Sequence, residues 1–305
     1  MKALWRYVSV LLAAAMGLAP VSPIRHAVAG DPPSQKAITP KYVPVKWEEK
    51  DAKKQQSDWA AKLKVEVETK TPNGIVMVLI PPAGAALPKP YWLGKYEVTQ
   101  AEWEGLMGSN PSGFKKGNKE AQGLDTSRFP VQSVSWYDGL QFCNKLSEKE
   151  GLPPYYSLKI VKGAAQSGIQ QAEVKVLGGK GYHLPTESQW EHGCRAGTTT
   201  LFCFGDNEEG LNDYGWFNKN SGMRPHQVGE KKPNAFGLHD MHGNLREWVN
   251  EMPSSDRAEI PLRAVNRGGA FDYTAALCRS GESRRHGPTD RLGFAGFRLA
   301  RFAGE

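Results

Sequence analysis

The sequence predicts an α+β domain with little regular secondary structure and long loops. Three observations point there. Short apolar runs read as strands early in the chain. Three helix starts carry reciprocal capping patterns: Thr99 with Glu102, Ser135 with Asp138, and Thr186 with Gln189. From Leu201 onward no 3.6-residue period is sustained, and 33 Gly, 21 Pro and 9 Trp imply many turns pinned by large aromatic side chains.

The 305 residues open with MKALWRYVSVLLAAAMGLAPVSPIRHAVAG. Lys2 and Arg6 precede an apolar run over residues 8–19, and Ala27-Val28-Ala29 supplies small residues for cleavage. Residues 1–29 therefore read as a secretory signal peptide, too short in its apolar part to span a bilayer. The expected location is periplasmic or secreted, with no membrane insertion after cleavage. Removing the leader takes away Lys2, Arg6 and Arg25 and no acid. That leaves 36 basic against 32 acidic residues, a net charge of +4. The basic residues are scattered, so nucleic acid is not an expected partner.

Residues 30–73 are polar and read as a linker, with a short exposed helix near 48–64. The globular domain is expected over 74–303. IVMVLIPPAG and YWLGKYEVTQ give two strands, and AEWEGLMG a short helix behind Thr99. In the next helix Trp136, Leu140, Cys143 and Leu146 share a face, and Gly151 ends it. Residues 155–182 read as two strands around a turn at GGKG. Pro185 stops the next strand, and Thr186 caps a third helix. FGD, NDYGWF, NAFGLHDMHGNLREW, VNRGGAF and LGFAGFRLAR then read as loops and short strands. Loops this long need buried Trp, disulfides or metal ions to hold them.

GKYEVTQAEW, FPVQSVSWYDGLQFCNKLSE, YHLPTESQWEHGCRAG, KKPNAFGLHDMHGNLREW, NRGGAF and LGFAGFRLAR occur in this order. Together they resemble the formylglycine-generating-enzyme, or sulfatase-modifying-factor, family. Its fold is a distant variant of the C-type lectin fold. The resemblance implies that fold over about 74–303, but it does not fix the activity, because the family carries several.

The family's oxidases hold copper between two cysteines shortly after a Gly-Gly that corresponds to Gly268-Gly269. Here Tyr273 stands at the first position, Cys278 is the only cysteine after Gly269, and the family's serine is Ala270. Copper is therefore not expected, since one thiolate alone suits Cu(I) poorly. Arg246 replaces a Trp that lines the oxidases' groove. With Tyr273 and the basic-loop His286 it forms the candidate ligand groove, while catalytic residues are not assignable. The resemblance implies a Cys194–Cys278 disulfide. Cys143 reads as a buried free thiol, with a bridge to Cys203 as an alternative. It also implies calcium in DMHGNLREW, held by Asp240, the carbonyls of Gly243 and Leu245, and Glu247. Hard oxygens on a tight loop suit this ion. His239 and His242 read as solvent-facing or hydrogen-bonding residues rather than a metal pair.

The expected function is that of a non-oxidase recognition or accessory protein binding a peptide, protein or small-molecule ligand. The alternative is a divergent oxidase or a periplasmic tailoring enzyme acting on a protein cysteine or peptide.

Overall fold

In the computed structural model, residues 44–164, 168–252 and 262–304 are described. The leader expected at 1–29 lies outside them. None of the described helices is long and apolar enough to cross a membrane.

The three capping patterns fold as the sequence predicts. Helix α2 (Gln100–Met107) starts at Thr99, α3 (Trp136–Lys149) at Ser135 and α4 (Glu187–Arg195) at Thr186. In each the cap hydroxyl accepts from the third backbone N–H and the third side chain accepts from the cap N–H. Such caps satisfy two of the orphan donors at a helix start.

An antiparallel sheet runs β1 (Glu68–Lys70), β2 (Val76–Ile80), β3 (Tyr91–Gly94) and β10 (Ala300–Phe302) in that order. Leu93 opposite Ala300 brings the last strand beside β3. A second sheet is ordered β8 (Ser283–His286), β7 (Ala264–Arg267), β6 (Arg246–Trp248) and β9 (Ala295–Gly296). Its β6–β9 pair is parallel and the others are antiparallel. Buried Trp side chains tie the irregular connections down. Trp136 donates to the Val249 carbonyl at 2.8 Å and Trp248 to the Val134 carbonyl at 2.9 Å. Each indole thus buries a large apolar surface with its N–H satisfied.

Three expectations are corrected here. The segment expected as a linker is packed into the domain where it is described. Helix α1 (Glu49–Leu63) presents Ala52, Gln56 and Ala60, four apart, to the body. Gln56 donates to the Leu79 and Phe236 carbonyls at 2.8 and 3.1 Å. Two alanines and a glutamine make a close-packing stripe that hydropathy does not reveal. The hairpin turn is also displaced: β4 (Tyr156–Ala164) pairs with β5 (Gly168–Val176), so GGKG follows the second strand instead of turning it. Both strands are largely exposed, and no buried face sets their register in the sequence. Within NDYGWF, a single helical turn, α5 (Leu211–Tyr214), replaces the expected loop or strand.

Candidate functional site

The second sheet sorts its residues by the two-residue alternation of strands. Trp248 lies opposite Asn266, which lies opposite Arg284, while Ala264 lies opposite His286. Arg246, two residues before Trp248, shares their face. Glu247 and Arg267 point to the other side.

That other side is closed by paired charges. Arg298 makes two 2.7 Å bonds to the Glu247 carboxylate, and Trp190 donates to the same carboxylate at 2.7 Å. Arg267 meets Glu191 at 2.7 Å and Glu187 at 3.0 Å, both carried by α4. All four ends of the two shortest pairs, Glu247–Arg298 and Glu191–Arg267, are buried.

The first face is different. Arg246 is fully buried, yet its guanidinium meets only neutral acceptors: Nε donates to Asn266 Oδ1 at 2.6 Å and Nη2 to the Asn266 carbonyl at 2.9 Å. Nη1 is buried without a hydrogen-bond partner, as are Asn266 Nδ2 and Asp272 Oδ1. Burial lowers the guanidinium's pKa to about 10. The Tyr273 ring lies under the guanidinium, 5.5 Å from its carbon. Phe294 stands 5.4 Å from Tyr273 and 6.0 Å from His286, ring to ring. Burial, and then Arg246, depress His286 to about 4, so its imidazole is neutral near pH 7. The three residues expected in the groove thus come together around Phe294, with Arg246 and Asn266 as a buried floor and half-buried Tyr273, Arg284 and His286 around it.

Asn266, Asp272, Arg284 and Phe294 were not anticipated. The alternation of VNR against SRRH is the pattern that places Asn266 and Arg284 on one face, but only once their strands are known to pair.

The turn before β6 is held from a distance. Asp240 and Asn244 adopt left-handed backbone conformations, as does Gly243. A Cβ on Gly243 would run into the Trp216 carbonyl, so that position requires glycine. Glu97, a further residue not anticipated, accepts from Asn244 Nδ2 and from the Leu245 N–H, both at 2.9 Å. Asp240 Oδ2 accepts from the Gly229 N–H at 2.7 Å, while Oδ1 is buried with no partner. Burial first, and then Glu247, raise Asp240 to about 6. Burial, Asp240 and Glu247 raise Glu97 as well. Three acids thus lie near the single Arg298, and Asp240 Oδ1 is a hard oxygen among them without a partner. The Glu247 oxygens are already shared with Arg298 and Trp190, which makes Asp240 the best placed of the expected ligands. Among the described residues no three His, Cys, Asp or Glu side chains are grouped to hold a metal; the expected set is of another kind, two carboxylates and two carbonyls.

The expected Cys194–Cys278 disulfide is not formed: all four cysteines are free thiols. Cys194 Sγ instead lies beside the Ser280 hydroxyl and 3.7 Å from His242 Nε2. Cys278, two residues earlier than Ser280, backs onto Gly269, where a Cβ would collide with its sulfur. Burial pushes both thiols up to about 12. Cys143 is a buried free thiol, and the alternative bridge to Cys203 is likewise not formed. His242 is buried, donating from Nδ1 to the Cys278 carbonyl at 2.8 Å and accepting the Cys203 N–H at 3.1 Å on Nε2.

Residues 55–303 match the Sulfatase-modifying factor enzyme 1-like domain. The chain belongs to the sulfatase-modifying-factor family. It is 30% identical over 203 residues to Chaperone protein LppX of Paenibacillus barcinonensis, a match covering 59% of this chain and 69% of that protein. It is 38% identical over 130 residues to the formylglycine-generating enzyme of Mycobacterium tuberculosis, covering 35% of this chain and 42% of that protein, so it spans less than half of that enzyme's length. Among solved structures, Treponema denticola variable protein 1 superposes with a TM-score of 0.67 at 30% identity, covering 78% of this chain and 99% of that one. The family's mixed helix-and-sheet fold is the fold expected from the sequence.

Proposed function

We propose that this protein is an exported recognition or accessory member of the family, binding a peptide or small ligand on the Arg246 face, and not a cysteine oxidase. The observation that carries the reading is the buried Arg246 guanidinium. By the family resemblance it stands where the oxidases have a groove Trp; its Nη1 has no hydrogen-bond partner, and among the described residues no acid lies within ion-pair distance. A buried cation without a counter-charge is costly, so a partner from outside is the natural complement. The copper route needs two thiolates side by side. Here Tyr273 replaces one, and the Cys278 thiol, pushed up to about 12, stays protonated at neutral pH. The name of one relative at 30% identity, a chaperone, agrees with a binding or accessory role.

The test is to load the purified protein with copper and incubate it with oxygen and a sulfatase-motif peptide, then search for the aldehyde by mass spectrometry. No turnover is expected. Multiple-turnover aldehyde formation abolished by Cys278→Ser would overturn the reading.

Two accessory features go with it. Cleavage after Ala29 rests on the basic start, the apolar run and Ala27-Val28-Ala29; N-terminal sequencing of exported material should begin at Gly30, and an intact Met1 would refute it. Calcium at Asp240, Gly243, Leu245 and Glu247 rests on the unpartnered Asp240 oxygen; a chelator should then lower the melting temperature, and an unchanged Tm with no calcium by elemental analysis would refute it.

A further inference from the structure

The free groups on the Arg246 face specify a ligand chemistry. Two buried donors, Arg246 Nη1 and Asn266 Nδ2, lack acceptors, and one buried acceptor, Asp272 Oδ1, lacks a donor. Arg246 and Asn266 are themselves joined by two hydrogen bonds, so both donors belong to one rigid unit. Arg246 and Asp272 influence each other electrostatically without forming an ion pair. The remaining cation of this face, Arg284, is already paired with Glu282 at 3.2 Å. The floor therefore offers one guanidinium with no hydrogen-bonded acid, two donors without acceptors, and beside them one carboxylate oxygen without a donor. The two donors match a carboxylate, which brings two planar acceptor oxygens, and the free Asp272 oxygen matches an N–H donor beside it. A phosphate dianion brings more charge and more acceptors than the floor can satisfy. Tyr273 and Phe294 add an apolar wall.

We infer that this face binds a free carboxylate on Arg246 and Asn266, with an adjacent N–H donor on Asp272, as presented by an amino acid or by the C-terminal residue of a peptide. The inference rests on reading this face as the recognition surface. It assigns to Asn266 and Asp272 a role beside the expected Arg246, Tyr273 and His286. Both ligand sources share the carboxylate and differ at the nitrogen, an ammonium in one and an amide N–H in the other.

The experiment follows thermal unfolding of the whole exported chain against four kinds of probe. These are the twenty free L-amino acids singly, their N-acetyl derivatives as mimics of a C-terminal residue, the N-acetyl amides, and inorganic phosphate. A ligand that binds only the folded state raises Tm in proportion to its saturation. At least one free or N-acetylated carboxylate should raise Tm by a few degrees, on the order of a hundredfold saturation. Its amide and phosphate should not. Response to N-acetyl forms identifies a peptide terminus, and response to free amino acids alone identifies a small ligand. Asn266→Asp places an internal carboxylate beside Arg246. It should raise the ligand-free Tm and weaken the response at least tenfold. If that variant does not fold, Arg246→Met should abolish the response. An equal response to amides, a response to phosphate alone, a panel silent throughout, or an undiminished response in the variant each overturn the inference. A silent panel without aldehyde in the oxidation assay removes only the carboxylate assignment, whereas aldehyde turnover removes the recognition reading beneath it.

Discussion

Arg246 and Arg267 sit on adjacent strands of one sheet, both fully buried, and face opposite ways. Arg267 closes against two carboxylates of α4. Arg246 closes against an asparagine and leaves a donor free. Their burial is the same and their completeness is not. The paired face holds the fold together, fastening α4 to β7 and the Glu247 strand to the final Arg298. The unpaired face sets its buried cation against an asparagine and an aromatic ring, with no carboxylate fastened to it. Strand alternation allows this division, because one residue's shift along β6 or β7 moves a side chain from the fastening network to the Arg246 face.

The sharpest way to break this contrast is to attack the paired face. Arg298→Met leaves Glu247 buried with only Trp190 as a hydrogen-bond donor from this network. Removing one member of a buried ion pair costs about 3–5 kcal/mol, which equilibrium urea unfolding would read. A loss under ~1 kcal/mol would mean that the pair does not fasten the sheet, since exposed pairs contribute at that level.

A second test uses protons. His183 is buried between Tyr155 and Phe302, and His192 between Trp47 and Phe236. Burial depresses both to about 4. Their folded pKa lies below the ordinary histidine value, so the unfolded chain takes up the proton first. The stability they contribute is complete above pH ~6.5 and is lost as pH falls toward 4, by up to about 3 kcal/mol for each residue. His183→Phe keeps a ring in the stack and cannot titrate, so it should flatten part of that loss. Unfolding free energy that is flat between pH 7 and 4.5 would contradict the burial of these rings as neutral groups.

What the sequence made legible follows the range of the interactions involved. The starts of α2, α3 and α4 could be read directly because a capping box is decided by residues three apart, as Thr186 and Gln189 are. The apolar strand at Val76–Ile80 could be read because it is buried along its length. The packed side of α1 was hidden because Ala52, Gln56 and Ala60 carry too little hydropathy to mark a buried stripe. The surroundings of Cys194 were hidden as well: the resemblance implied Cys278, and the fold sets its sulfur against the Met241 carbonyl and His242, 47 and 48 residues away. At the site, Arg246 and Tyr273 drew notice only through the family motifs they interrupt. Asn266 drew none, because its importance depends on the pairing of strands nearly twenty residues apart. Glu97 is further still, reaching the Leu245 N–H across 148 positions, and no local pattern announces such a contact.

The division between the two faces is tested most directly by comparing Arg246→Met with Arg267→Met in equilibrium unfolding of the ligand-free protein. Arg267→Met should lose about 3–5 kcal/mol, because Glu187 loses its paired cation and the buried Glu191 keeps only Arg195, at 2.8 Å. Arg246→Met should stay within ~1 kcal/mol of the parent or gain stability, because among the described residues no carboxylate is ion-paired to it. Equal, large losses in both variants would contradict the account, and would mean that Arg246 fastens the fold as Arg267 does.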